Sequence, residues 1–240
     1  MSSVMHSALG GHEFKAFESR PALERAMVKA IAALIDDAIT MNGRASLAFS
    51  GGSTPKAMLA LLSQERLDWE KVTVSLVDER WVDNQHEQSN ERMVRDILLQ
   101  NNAASADLVG MKSRHHDISY GVTDYQAKLH TDIKQPFDLV VLGMGDDGHT
   151  ASWFPDAAEL SQAMDVHSDQ LVVTTRPRSQ PTDRITLSIV PVMTATQVFL
   201  HITGEKKRQV LEKGTNNSTC LPIHQALELL PQTVDIYWAE

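Results

Sequence analysis

Cysteine is almost absent from this sequence: Cys220 is the single copy in 240 residues, so no disulfide can form within the chain. A chain without disulfides fits a reducing compartment. No positively charged start leads into an apolar run, and no apolar stretch approaches the ~20 residues that a membrane-spanning helix requires. Because these marks of secreted and membrane proteins are missing, we expect a cytoplasmic protein with no membrane partner.

Runs of Lys and Arg long enough to follow a nucleic acid backbone are also lacking, and the formal net charge is -9. Neither DNA nor RNA is therefore expected as a partner. An acidic surface also repels small anions. If the substrate is an anion, its site must collect cations locally against that background.

The composition is that of an ordinary globular protein, with 42% hydrophobic and 22% charged residues. No internal repeat, low-complexity tract or Pro/Gly-rich linker divides the chain, so residues 1–240 are predicted to form one domain. No stripe of exposed apolar residues indicates an interface. We therefore expect a monomer or a weak homodimer.

Short apolar runs alternate with helical patterns along the chain. Residues 19–40 are predicted to form a helix, because Ser19 is a good cap, Pro21 suits the first turn, and Leu23 and Met27 recur at helical spacing. Strands are predicted at 45–49, 72–77, 137–142, 171–175, 184–189, 198–203 and 234–238. Later helices are predicted at 206–213 and 223–230. This alternation predicts an α/β fold with a mostly parallel sheet and helices on both faces.

Three polar or glycine-rich segments follow predicted strands, at the sheet edge where α/β proteins bind ligands. The first is Ser50-Gly51-Gly52-Ser53-Thr54-Pro55. Its glycines let the backbone approach an anion, its hydroxyls can donate to one, and Pro55 pre-sets a helix whose free N–H groups face the loop. The segment is either a phosphate loop or a turn with a helix cap and no ligand, and taken alone it does not decide between them.

The second segment, Asp78-Glu79-Arg80, follows the strand at 72–77. Three consecutive charges after a strand are usually a solvated loop. An aspartate in that position could instead handle protons, and Arg80 could contact an anionic or carbonyl oxygen. Taken alone, the segment favours the solvated loop.

The third segment runs from Gly143 to Ser152 and reads GMGDDGHTAS. Its glycines match G-x-G-x-x-G, but the acidic pair inside the loop would repel a pyrophosphate, so a dinucleotide site is rejected. What remains is a loop that presents Asp147 and His149. An imidazole titrates near neutral pH, and a nearby carboxylate can fix its tautomer.

Metal ligation is not predicted. The chain has 10 histidines but no H-E-x-x-H and no Cys/His spacing typical of zinc. His115 and His116 are adjacent in a polar stretch, where solvated side chains are expected.

The three segments together resemble the glucosamine-6-phosphate isomerase/6-phosphogluconolactonase family, and most of all its lactonase branch. The matching stretches, in family order over residues 47–211, are LAFSGGSTPKAML, VSLVDERWV, SNERMVRDILL, FDLVVLGMGDDGHTASWFP, RITLSIVPV and HITGEKKRQVL. The resemblance implies a modified Rossmann-type sheet, no organic cofactor, and the hydrolysis of 6-phospho-D-glucono-1,5-lactone to 6-phosphogluconate, the second step of the oxidative pentose phosphate pathway.

Residue roles follow from the resemblance where the motifs match. His149 would be the general base that activates water, Asp147 would shape the loop or orient His149, and Asp78 is a weaker catalytic candidate. Lys207 falls where the family places a phosphate-facing lysine, although the adjacent Lys206 leaves that assignment open by one residue. The remaining substrate and phosphate contacts implied are Ser50, Gly51, Gly52, Ser53, Thr54, Arg80 and Arg184.

Two other functions compete with lactone hydrolysis. The isomerase branch carries a glutamate five residues after the loop histidine, where this chain has Phe154, and an aspartate-glutamate-tyrosine start to its second loop, where this chain has Arg80 in third place. Both differences favour the lactonase branch. A sugar-phosphate sensor would normally carry a DNA-binding module, and the residues before Leu47 contain no basic recognition element.

Overall fold

The computed structural model describes residues 5–9, 11–213 and 220–240. The strands are β1 (Met5–Leu9), β2 (His12–Ala16), β3 (Ala45–Phe49), β4 (Val72–Leu76), β5 (Asp78–Arg80), β6 (Asp107–Leu108), β7 (Leu139–Leu142), β8 (Val172–Thr175), β9 (Arg184–Leu187), β10 (Gln197–Thr203) and β11 (Val234–Ala239). The helices are α1 (Arg20–Asn42), α2 (Lys56–Leu62), α3 (Asn90–Ile97), α4 (Ile118–Thr131), α5 (Leu160–Ala163), α6 (Ile189–Thr194), α7 (Glu205–Lys213) and α8 (Pro222–Leu229), with 3-10 turns at Trp69–Lys71 and Asn101–Ser105.

One large sheet organises the fold, with strand order β1-β2-β11-β10-β7-β3-β4-β6. β1 runs antiparallel to β2, and the other seven strands are parallel. β3 and β7, in its middle, are buried at every position, as expected for strands with both faces covered. The prediction of an α/β fold with a mostly parallel sheet flanked by helices is confirmed.

α1 shows how the sequence sets an element. The Ser19 side chain accepts a hydrogen bond from the Ala22 N–H at 3.4 Å, and Pro21 lies in the first turn. The helix ends at Gly43, whose φ of 77° lies in the left-handed region that glycine favours. Its buried face, including Leu23 and Met27, covers the sheet.

A second sheet corrects the predicted topology. β5, β9 and β8 pair in that order as a separate antiparallel sheet. The strands predicted at 171–175 and 184–189 thus do not join the parallel sheet, because the link between β8 and β9 contains no helix and is too short for a crossover. The segment Asp78-Glu79-Arg80, which taken alone favoured a solvated loop, is a strand of this sheet.

Candidate functional site

The carboxyl ends of β10, β7, β3 and β4 are adjacent in the large sheet, so the loops that follow them meet at one edge. They enclose a cavity of about 270 Å³ with the small sheet on its other side. The predicted site residues that line it are Ser50, Gly51, Gly52, Ser53, Thr54, Asp78, Arg80, His149, Arg184 and Lys207. Asp147 lies behind His149 and does not line the cavity.

The glycine-rich loop after β3 is fixed to the neighbouring loops. The Gly143 N–H donates to Ser50 Oγ at 3.1 Å, which joins the ends of β3 and β7. A Cβ at Gly51 would collide with the side-chain amide of Asn90, and Gly52 has a φ of 93°. Both glycines are therefore required by the geometry. Pro55 immediately precedes α2, so the first turn of that helix opens onto the loop.

Two arginines meet across the small sheet, where Arg80 and Arg184 are paired in register. Arg184 is 7% exposed, and its Nη2 donates to Gln180 Oε1 at 3.1 Å. Burial lowers the pKa of Arg184, Asp78 opposes that shift and Arg80 adds to it, yet a guanidinium stays charged at any ordinary pH. Arg80 donates from Nη1 to the Gln88 carbonyl, while its buried Nε has no acceptor among the described residues.

The structure separates the two candidate lysines. Lys207 is partly buried, lines the cavity and forms no ion pair with any described residue. Burial lowers the pKa of Lys207, and the charge of Asp146 partly opposes this. Lys206 points to solvent, where its Nζ lies 2.7 Å from Asp146 Oδ2. Lys207 is thus the lysine that faces the cavity.

His149 is held on two sides. Its ring stacks on Phe154 with centroids 4.1 Å apart, and its Nδ1 lies 2.5 Å from Asp147 Oδ1. This hydrogen bond is the main reason why the pKa of Asp147 is lowered. Because an ionised carboxylate can only accept, Nδ1 carries the proton, and Nε2 of the neutral ring has a free lone pair. Gly145 leaves room for the ring, since a Cβ there would overlap it.

Asp78 is buried, and both its side chain and its backbone carbonyl accept hydrogen bonds. Its Oδ2 accepts from Ser152 Oγ at 2.6 Å, and its carbonyl accepts from Asn90 Nδ2 at 2.9 Å. Neighbouring Glu79 is buried as well and accepts from Ser89 Oγ and from the N–H groups that open α3, although burial still raises its pKa. These bonds tie β5, α3 and the histidine loop together.

Among the polar and aromatic side chains that line the cavity, four were not predicted as contacts from the sequence: Asn90, Phe154, Gln180 and His201. Gln180 carries no signal in a single sequence, because polar residues in a loop are common, and Asn90 lies in the matching stretch SNERMVRDILL without a feature that marks it as a cavity residue. His201, in contrast, does carry a signal in the sequence. It interrupts the apolar run of β10 close to its carboxyl end, where a parallel strand covered on both faces should be apolar.

Within residues 5–9, 11–213 and 220–240, no group of three or more His, Cys, Asp or Glu is arranged to hold a metal ion. No helix in that same part of the chain combines the length and the apolar character needed to cross a membrane.

Fold and site together define an α/β protein whose cleft, at the carboxyl edge of the parallel sheet, is lined by two arginines, a lysine and a histidine on a glycine-rich loop. Within that class, the chain belongs to the family of glucosamine-6-phosphate isomerases and 6-phosphogluconolactonases, whose model matches residues 18–238.

Curated relatives include proteins named 6-phosphogluconolactonase from Mesorhizobium japonicum, 38% identical with 95% of each chain covered, and from Rhizobium meliloti, 38% identical with 93% of this chain and 97% of the other covered. Among solved structures, a 6-phosphogluconolactonase from Shewanella baltica superposes with a TM-score of 0.88 at 40% identity, covering 95% of this chain and 97% of that one. A monomeric glucosamine-6-phosphate deaminase has a TM-score of 0.74 at 18% identity over 95% and 97%, which shows the shared fold alone.

Proposed function

We propose that this protein hydrolyses 6-phospho-D-glucono-1,5-lactone to 6-phospho-D-gluconate, the reaction of a 6-phosphogluconolactonase in the oxidative pentose phosphate pathway. One observation carries the mechanism: a histidine whose Nδ1 is bound by Asp147 faces the same cavity as Arg184 and Lys207. The names of the curated relatives support the reaction. We further propose a cytoplasmic location and a monomeric or weakly dimeric state.

His149 acts as the general base. Its Nε2 takes a proton from water as the water oxygen attacks C1 of the lactone, so that a C–O bond forms and the carbonyl oxygen becomes an oxyanion. Arg80 or the N–H groups of the glycine loop stabilise that charge. When the tetrahedral intermediate collapses, the bond from C1 to the ring oxygen breaks, and the imidazolium returns its proton to that oxygen.

The neighbouring carboxylates take supporting roles. Asp147 keeps the proton on Nδ1 and stabilises the imidazolium that forms during the reaction. Asp78 is a positioning residue, because its carboxylate accepts from Ser152 in the histidine loop and is buried. A carboxylate held in this way orients the loop and need not exchange protons with the substrate.

The phosphate is bound by cations and by the loop after β3. Lys207 and Arg184 supply positive charge against the overall acidity of the chain, and Ser53, Thr54 and the Gly52 backbone supply neutral donors. Two cations that have been partly removed from water interact with an anion more strongly than exposed ones do.

The isomerase reaction is disfavoured by Phe154. Its ring stacks on His149 and is buried, so the position offers an apolar surface and no group that could accept a proton from the imidazole. We therefore expect no release of ammonia from glucosamine 6-phosphate. Detectable ammonia would move the protein to the other branch of the family.

The deciding experiment is a coupled assay. 6-Phosphogluconolactone is generated in place, and its hydrolysis is followed through oxidation of the 6-phosphogluconate formed, with the spontaneous rate subtracted. We expect catalysed hydrolysis in wild type and a loss of ~10²–10⁴-fold in His149→Ala with folding intact. A wild-type rate equal to the spontaneous rate would refute the proposed function.

A further inference from the structure

His201 lines the cavity but has no part in the catalytic scheme. It lies on β10 between Leu200 and Ile202 and is 3% exposed. Neither of its ring nitrogens has a hydrogen-bond partner among the described residues. Burying a polar group without a partner is costly, so such groups are rare unless a ligand or water completes them.

The other two buried histidines of the described chain behave differently. His12 is bonded at both nitrogens, to the Leu227 carbonyl at 3.0 Å and to the Val234 N–H at 3.1 Å. His224 is bonded through Nε2 to the Leu211 carbonyl at 3.0 Å, and only its Nδ1 lacks a partner among the described residues. Neither ring lines the cavity. These two histidines serve the fold, whereas His201 has no such task.

The charge state of His201 determines what it can bind. Burial, assisted by the nearby ammonium of Lys207, lowers the pKa of His201 to about 4. The ring is therefore neutral near pH 7 and offers one N–H donor and one acceptor. A donor beside a lysine that has no partner among the described residues matches a group that presents several acceptor oxygens and a negative charge.

We propose that His201 is a substrate-binding residue that donates a ring N–H to a phosphate oxygen of the group held by Lys207. This inference rests on the proposed function for the identity of the ligand, a phosphorylated sugar. It assigns the phosphate to the end of the cavity formed by β10 and α7. A neutral donor adds a directional contact there without a third positive charge.

Three variants test the contact. His201→Phe keeps a ring but removes both nitrogens, and we expect KM for the lactone and Kd for 6-phosphogluconate to rise by about 10- to 100-fold while kcat changes little. His201→Asn and His201→Gln place an amide near the positions of Nδ1 and Nε2, so one of them should recover much of the affinity. His224→Phe removes a buried histidine outside the cavity and should leave KM unchanged.

Hydrolysis of unphosphorylated glucono-1,5-lactone distinguishes a contact between His201 and the phosphate from a contact between His201 and the sugar. If His201 contacts the phosphate, His201→Phe should hydrolyse this unphosphorylated lactone at the wild-type rate. An equal loss with both substrates would overturn the assignment to phosphate. Unchanged KM and Kd in His201→Phe would overturn the inference entirely.

Binding to wild type supplies a readout independent of both turnover and mutation. Inorganic phosphate titrated into ¹⁵N-histidine-labelled protein should shift one ring nitrogen of His201. If that signal shifts in a protein that does not hydrolyse the lactone, the proposed function fails and the His201 contact stands. If the lactone is hydrolysed but saturating phosphate leaves His201 unshifted, the contact fails and the function stands.

Discussion

Replacing Asp147 by asparagine tests the histidine loop with little change in shape. Asp147 Oδ1 lies 2.5 Å from His149 Nδ1, and the two side chains are 43% and 28% exposed. A carboxylate and an imidazolium with charges about 4 Å apart attract by about 1 kcal/mol in water and about 4 kcal/mol at an effective dielectric constant of 20. Because both groups reach solvent, we take about 1–2 kcal/mol as the loss. That loss corresponds to a fall in kcat of about 5- to 30-fold.

We expect kcat to decrease from wild type to Asp147→Asn and further to His149→Ala. The last variant lacks the base itself, so its kcat should fall by ~10²–10⁴-fold. Asp146→Asn is the matched control. It alters the adjacent carboxylate, which pairs with Lys206 at the surface, and should leave kcat within about twofold. The measurement is kcat in the coupled lactonase assay, with thermal unfolding as the check on folding.

Two results would refute this reasoning. If Asp147→Asn retained wild-type kcat, the carboxylate would play no part in orienting or stabilising the imidazole. If Asp146→Asn lost as much activity as Asp147→Asn, the effect would be one of loop charge in general, and the specific hydrogen bond would not explain it.

Three further outcomes are expected. Lys207→Ala should raise KM by about 10-fold or more, because it removes a partly buried cation, whereas Lys206→Ala should raise it by less than about fivefold. Gly51→Ala should lower the free energy of unfolding in urea by about 1–3 kcal/mol, because the new Cβ displaces the Asn90 amide. Folded His201 has its pKa lowered from 6.5 to about 4, so its contribution to stability is lost as pH falls through that interval. As the pH falls from 6.5 to 4, the free energy of unfolding should therefore decrease by about 3 kcal/mol less in His201→Asn than in wild type.

Each of these has a contrary result. Equal KM effects at Lys207 and Lys206 would remove the phosphate from the β10 end of the cavity. An unchanged urea midpoint in Gly51→Ala would mean that Asn90 moves at no cost. Parallel stability curves for wild type and His201→Asn between pH 6.5 and pH 4 would mean that the buried ring keeps its ordinary pKa.

Helix starts could be predicted from the sequence where they depend on hydrogen bonds between residues close together in the chain. Ser19 caps α1 as predicted, and Ser89 caps α3 in the same way, since a serine hydroxyl satisfies N–H groups only a few residues away. The meeting of the three predicted segments at one sheet edge also follows from a simple rule, because parallel strands end on the same side.

The small antiparallel sheet could not be foreseen in the same way. Whether a short apolar strand pairs parallel or antiparallel depends on partners far along the chain, and β5 pairs with β9 more than a hundred residues away. α4 was also missed. Its buried face is sparse, and Gly121 in its interior lowers helix propensity, yet that glycine is needed because the Trp81 ring occupies the space of a Cβ.

The placement of β11 between β2 and β10 has a consequence for biosynthesis. His12 and Val234, which are joined by a hydrogen bond where these strands meet, are 222 residues apart. While the ribosome is still making the intervening chain, β1 and β2 have only each other, and an isolated hairpin is marginal in water. A nascent or truncated chain without β11 therefore exposes two unpaired edges, on β2 and on β10, and such edges invite pairing with other chains.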